Sequence, residues 1–339
     1  MSVENTLQQL QKARESGKDK ELHDALLAHA NALLVSNQYI DAGQTLDEAV
    51  LLHRRANRIL DEAHCLHLSS TAYRFAGRLH LAETRSRSAV AIAPANTPMA
   101  VSSWTEFGET ALAAGKATEA MDYYKKALGH GQKAGLLPKA QLGLMRRLAQ
   151  AQAVGHSSTL SAQTLRKAVT LAKQINEKDV IIRFQIEEAT AWLNSPLPEQ
   201  AVTALEESEQ LANQTEDYAA LADLEVLRST LAVRNKDMPK AFNHAKRARE
   251  LALKAVDALS YTTSAIAMSE IADLQNEKHT AYEVLAVGWA TLGDLMGNDI
   301  AKNTFTPKLR ELVKKWGKEE FLRVKSQYEE QRRSMRSES

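Results

Sequence analysis

The chain has 339 residues, with 43 Lys and Arg against 42 Asp and Glu, a formal net charge of +1 at pH 7. That balance excludes a global field drawing it to nucleic acid or to a membrane surface. The one cysteine, Cys65, excludes an internal disulfide and fits a reducing compartment.

The N-terminus, Met-Ser-Val-Glu-Asn-Thr-Leu, lacks a basic-then-apolar signal pattern. No apolar run approaches the roughly 20 residues a membrane span needs, so a cytoplasmic protein is expected. Residues 3–15 place Leu7, Leu10 and Ala13 on one helical face and read as a lone capping helix within residues 1–20.

From there to about residue 300 the chain repeats. Ala42, Ala82, Ala120, Ser161, Ala201, Ala241 and Ala281 form a column spaced 38 to 41 positions apart. A second column seven residues later reads Ala49, Ala89, Ala127, Ala168, Ser208, Ala248 and Gly288. A third, twelve residues before the first, reads Ala30, Ser70, Gly108, Ala149, Ala189, Ser229 and Ser269. Small side chains let helix backbones approach closely, so each column predicts a crossing point between two helices. A 40-residue unit with two short turns leaves two helices of about 16 residues, roughly 24 Å each. Only 5% of residues are aromatic, so Ala and Leu must fill the core.

The third unit shows the pattern best. Trp104, Phe107, Gly108 and Ala111 form one face, and Ala120, Tyr124 and Ala127 form the facing stripe on the next helix. Gly115 is predicted to end the first helix in a left-handed conformation. Units five and six carry Gln185 and Glu225 where a large apolar residue is expected, predicting a one-residue slip of register. The prolines fall at turns; Pro307 follows Thr306, which predicts an N-cap with proline at the first helical position. Residues 301–339 are expected to close the array with capping helices around a break at Gly317 and to end in a basic tail, Arg332-Arg333-Ser334-Met335-Arg336.

The third unit, Trp104-x2-Phe107-Gly108-x2-Ala111 followed by Ala120-x3-Tyr124-x2-Ala127, resembles the tetratricopeptide repeat. The period near 40 is similar to the long-helix variant in kinesin light chains, NSF attachment proteins and regulators of the MalT and Rap type. The resemblance implies an all-α, right-handed α-solenoid of about seven hairpins over residues 21–300. It also implies that the first helix of each hairpin lines a concave face, which places Asn31, His64, His67, Arg74, Glu109, Arg146, Gln150, Thr190, Arg234 and Glu270 there as partner-binding candidates. Of the carboxylate-clamp pattern only Asn31 is present, without the accompanying lysines, so a chaperone-tail clamp is rejected.

Charge is blocky. Residues 116–174 carry ten basic and two acidic residues, 177–226 twelve acidic and two basic, and 228–255 eight basic and two acidic. The bands predict either attraction between neighbouring hairpins or complementarity to a charged partner, another copy of this chain included. His64 and His67 have metal-ligand spacing but no second ligand pair, so no metal and no cofactor is expected. Glycine-rich phosphate loops, nucleophile elbows and zinc motifs are absent from the sequence, and no catalysis is expected. The leading reading is a non-enzymatic scaffold or adaptor for protein or peptide partners. A peptide- or metabolite-responsive sensor of the Rap or MalT kind is the alternative, and nucleic-acid binding along the 116–174 band is the weaker one.

Overall fold

A computed structural model describes residues 2–337, which form 17 α-helices and, among the described residues, no strand. The chain divides into two compact units, Met1–Asn176 and Glu177–Ser339. The first holds α1 (Val3–Ser16), α2 (Asp19–Val35), α3 (Tyr39–Arg55), α4 (Ile59–Phe75), α5 (Leu79–Ile92), α6 (Pro98–Ala113), α7 (Ala117–Lys133), α8 (Pro138–Val154) and α9 (Ser158–Gln174). The second holds α10 (Lys178–Leu193), a 3-10 turn (Pro198–Gln200), α11 (Ala201–Thr215), α12 (Tyr218–Arg234), α13 (Met238–Lys254), α14 (Ala258–Leu274), α15 (Lys278–Met296), α16 (Asn298–Trp316) and α17 (Lys318–Ser337). Helices α2 to α15 pair into seven hairpins, four in the first unit and three in the second.

The first and third small-residue columns are where the two helices of a hairpin touch. Ala120 and Ala281 are each the fourth residue of their helix, and Ala201 is the fourth counted from Pro198. All three are fully buried. Columns one and three meet through hydrogen bonds across the crossing. The hydroxyls of Ser70, Ser229 and Ser269 donate to the carbonyls of Ala82, Ala241 and Ala281 at 2.9, 2.8 and 2.8 Å. In the fourth hairpin the roles reverse, and Ser161 donates to the Ala149 carbonyl at 2.8 Å. A hydroxyl is small enough for this approach and supplies a partner where a larger side chain would separate the backbones.

Glycine serves the same purpose against rings. A Cβ at Gly108 would stand 2.6 Å from Cε1 of Tyr124, and one at Gly43 would stand 2.7 Å from Cε1 of Tyr73. Both tyrosines are buried in the places these glycines open.

Turns recur as left-handed caps. Gly115 has φ +74°, with Lys116 N–H donating to the Ala111 carbonyl and Gly115 N–H to that of Leu112, the paired bonds of a Schellman motif. Asn37, Asn57, Asn176 and Asn276 fill equivalent positions, as Asn tolerates this region; Asn96 is also left-handed, but in the loop after α5, where its N–H donates to His130 Nδ1. Val256 also does, at φ 55°, although a β-branched side chain crowds there.

Three expectations change. Leu7 of α1 is 39% exposed, and Thr6 is buried in its place, its hydroxyl 2.9 Å from His29 Nδ1. No register slip occurs in hairpins five and six: Ala189 and Ser229 stay buried, and Gln185 and Glu225 are themselves each 2% exposed. Buried polar groups persist when partnered. Gln185 Nε2 donates to Glu207 at 2.9 Å, while Glu225 accepts from Arg228 at 3.0 Å and lies 2.7 Å from His244 Nδ1. Finally, Pro307 does not start a helix with Thr306 as its cap, and it does interrupt one. It lies inside α16, which begins at Asn298 and buries Ala301, Phe305 and Leu312 on one side. Pro307 and Asn303 both face solvent, so water can satisfy the carbonyl that proline leaves unpaired. The break at Gly317, φ +85°, is present.

Candidate functional site: a groove across three first helices

All ten predicted concave-face residues lie on first helices of hairpins: Asn31 on α2, His64, His67 and Arg74 on α4, Glu109 on α6, Arg146 and Gln150 on α8, Thr190 on α10, Arg234 on α12 and Glu270 on α14. In the first unit, α4, α6 and α8 enclose a groove of about 750 Å³ that brings together His67, Arg74 and Glu109. His64, Asn31 and Gln150 are exposed outside its lining, as is Arg146, which makes polar contacts of its own. In the second unit Thr190 bonds the Ile186 carbonyl of its own helix, Glu270 pairs with Lys308 at 2.8 Å, and Arg234 is exposed.

The groove's polar residues are held by pairs between adjacent helices. Arg74 clamps Glu106 with two bonds, Nε at 2.8 Å and Nη2 at 3.0 Å, and Thr110 donates to the same carboxylate at 3.3 Å. Arg74 and Glu106 are 17% and 5% exposed, so this pair is shielded from screening and fixes α4 against α6. One step along, Arg147 Nε donates to Glu109 at 2.7 Å, fixing α6 against α8. Its two Nη groups make no hydrogen bond to a described residue. Sequence reasoning chose Arg146 and missed Arg147, as well as Glu106. The signal was present: Arg147 and Glu106 each stand two residues before the third small column, at Ala149 and Gly108.

His67 lies between these pairs. Its Nδ1 is shut off from solvent with no hydrogen-bond partner. Burial lowers its pKa, and His64 and Arg74 add to that while Glu106 opposes it. The imidazole is therefore neutral near pH 7. Val101, Leu144 and Leu136 supply apolar wall, and Phe75 closes one end, 57% exposed under the Arg74 guanidinium at 4.7 Å and stacked on Tyr39 at 5.5 Å. On α8, Gly143 lines the floor; a Cβ there would meet only an Arg147 nitrogen, 3.7 Å away. Glycine in a helix interior costs about 1 kcal/mol against alanine. Packing does not require it here.

Cys65 is fully buried behind this face, and burial raises its thiol pKa to about 12, so it is a core residue without thiolate character. Among the described residues no group of three or more His, Cys, Asp or Glu has metal-site geometry, and no helix is long and apolar enough to cross a membrane. In the second unit the acidic and basic bands meet at Arg228 of α12, whose Nη1 and Nη2 lie 2.8 and 2.6 Å from Glu209 of α11, while its 3.0 Å bond to Glu225 is within α12. The acidic hairpin five and basic hairpin six thus attract each other, as the structural reading of the bands expects.

No family model matches the chain, and no curated protein matches it in sequence. Among solved structures, the apo form of RapI is 12% identical with a TM-score of 0.57, the match covering 93% of this chain and 99% of that one. A signal-transduction ATPase with a tetratricopeptide repeat sensor from Pyrococcus horikoshii is 16% identical at TM-score 0.58, covering 84% of this chain and 45% of that one. Tetratricopeptide-like repeats of a putative kinesin light chain from Podosopora anserina are 18% identical at TM-score 0.51, covering 59% and 98%. These likenesses define the fold class: the chain is an all-α repeat protein made of stacked helical hairpins. Its fold is the tetratricopeptide-like one, in the long-helix form that the 40-residue period predicts.

Proposed function

We propose that this chain is a non-enzymatic scaffold that binds an extended segment of a protein partner in the groove across α4, α6 and α8. The observation that carries the reading is the groove itself. Three helices are locked by the Arg74–Glu106 and Arg147–Glu109 pairs, and between them lie apolar wall, hydroxyls and an Arg147 guanidinium with donors to spare. Walls fixed in advance lose little ordering entropy when a flexible segment docks. Thr71, Ser102 and Thr105 can accept from the segment's backbone amides, Val101 and Leu144 can take an apolar side chain, and Arg147 can take a carboxylate.

Crosslinking and affinity capture with the whole chain, wild type beside Gly143→Leu, test this. A Cβ at this position meets only an Arg147 nitrogen, 3.7 Å away, so the leucine side chain is introduced at the groove floor without a backbone clash. A partner held by wild type and lost by the variant supports the reading. Recovery of no protein, with no self-association, sinks it.

The likeness to RapI and to a tetratricopeptide sensor supports a second reading, in which occupancy of the groove by a small peptide or metabolite is itself the signal. Thermal shift against peptide and metabolite panels separates the two. Stabilisation by a small ligand with no protein partner recovered favours the sensor.

A further inference from the structure

The last second-helix of a repeat stack has no following hairpin to cover its outer face. In the second unit that helix is α15, which presents Tyr282, Ala286 and Trp289 on one stripe. Two helices return over it. Helix α16 sets Phe305 against Gly288, where a Cβ would stand 3.0 Å from the ring. Helix α17 lays Val324 and Tyr328, both buried, on α15, and Glu320 anchors it through Lys278 at 3.0 Å.

The coverage is incomplete. Between α15, α16 and α17 an opening of about 560 Å³ remains, walled by Tyr282, Trp289, Leu309 and Tyr328. Tyr282 and Tyr328 meet edge to face at 5.5 Å, so the wall is a fixed aromatic corner. The rim is cationic: Lys325, Arg332 and Arg333 stand against Glu329 alone. Glu329 is shared with Lys325 at 3.7 Å, and neither arginine pairs with a carboxylate among the described residues.

We propose that this corner is a second docking site, distinct from the α4–α6–α8 groove, for a short acidic peptide segment carrying one aromatic side chain. The ring would enter between Trp289 and Tyr328, and carboxylates on either side of it would meet Arg332 and Arg333. Charge complementarity sets the sign of the partner, and the volume sets its size, one or two side chains. An anionic membrane fits less well, because Glu319, Glu320, Glu329 and Glu330 interleave with the basic residues of α17 and the pocket is concave.

Fluorescence polarisation with the intact chain and a labelled Glu-Asp-Phe-Asp-Glu peptide tests the proposal. Saturable binding is expected, weakened about tenfold or more by Arg332→Glu with Arg333→Glu, and likewise by replacing the peptide's Phe with Ala. Both arginines are exposed, so circular dichroism should show an unchanged melting temperature for that variant. Gly143→Leu should leave this binding intact, which keeps the site's fate separate from that of the groove. No saturable binding, equal binding to the charge-reversed chain, or equal binding of the Ala peptide overturns the proposal. So does displacement of the peptide by phosphatidylserine vesicles that bind the chain more tightly.

Discussion

Gly108→Ala adds one methyl group to the chain and places it against a ring that cannot retreat. The new Cβ would lie 2.6, 2.8 and 2.9 Å from Cε1, Cδ1 and Cζ of Tyr124, which is fully buried between α6 and α7. Carbon atoms in contact prefer about 3.5–4.0 Å, so the ring or the helix must shift by nearly 1 Å. Overpacking of this kind costs about 2–3 kcal/mol, and the helix propensity of alanine over glycine returns about 1. The net expectation is a loss of about 1–2 kcal/mol, read from urea denaturation followed by far-UV circular dichroism. Gly143→Ala is the matched control: with only an Arg147 nitrogen near, at 3.7 Å, it should gain about 0.5–1 kcal/mol. If Gly108→Ala is as stable as wild type, the small residue in this column does not mark a close approach and the reasoning fails.

Further expectations follow from other contacts. Val256→Gly relieves a β-branched residue at φ 55° and should stabilise the second unit by about 1 kcal/mol; a loss in thermal denaturation would contradict it. Glu225→Ala removes a buried acceptor from Arg228 and His244 and should destabilise by about 2–3 kcal/mol, while Arg228 keeps Glu209; a change below 0.5 would show the cluster to be idle. Ser229→Ala deletes one hydroxyl bond at 2.8 Å and should cost about 1 kcal/mol, measurable as a shift in urea midpoint. Burial lowers the pKa of His29, His53 and His67, all in the first unit. The unfolded chain then binds more protons below about pH 6.5, so stability should fall as pH drops from 7 to 5.5. A melting temperature that rises over that interval reverses the sign and refutes the assignment.

The hairpins were legible because a close helix crossing restricts residue size at fixed positions, a constraint each repeat satisfies alone. Ala120, Ala201 and Ala281 are equivalent in structure because none of them depends on a distant partner. Gln185 and Glu225 were misread for the opposite reason: their burial depends on a partner from the next helix, Glu207 of α11 and His244 of α13, which a single-helix pattern does not contain. Pro307 was misread because burial of Ala301, Phe305 and Leu312 on one side of α16 outweighs one lost backbone bond. In the groove, His67, Arg74 and Glu109 followed from the repeat, whereas choosing Arg147 over Arg146 required knowing which neighbour turns toward Glu109.

The account rests on close backbone contact at the first small column, and leucine placed there tests it most directly. Thermal unfolding of Ala120→Leu and Ala241→Leu should be compared with Glu119→Leu and Asn243→Leu, exposed positions on the same helices. Both alanines are 0% exposed. Three added carbons at a crossing should cost about 3 kcal/mol, near 6–12 °C in the melting of a unit this size, with little change at the exposed sites. Column substitutions that melt with their controls would contradict the account.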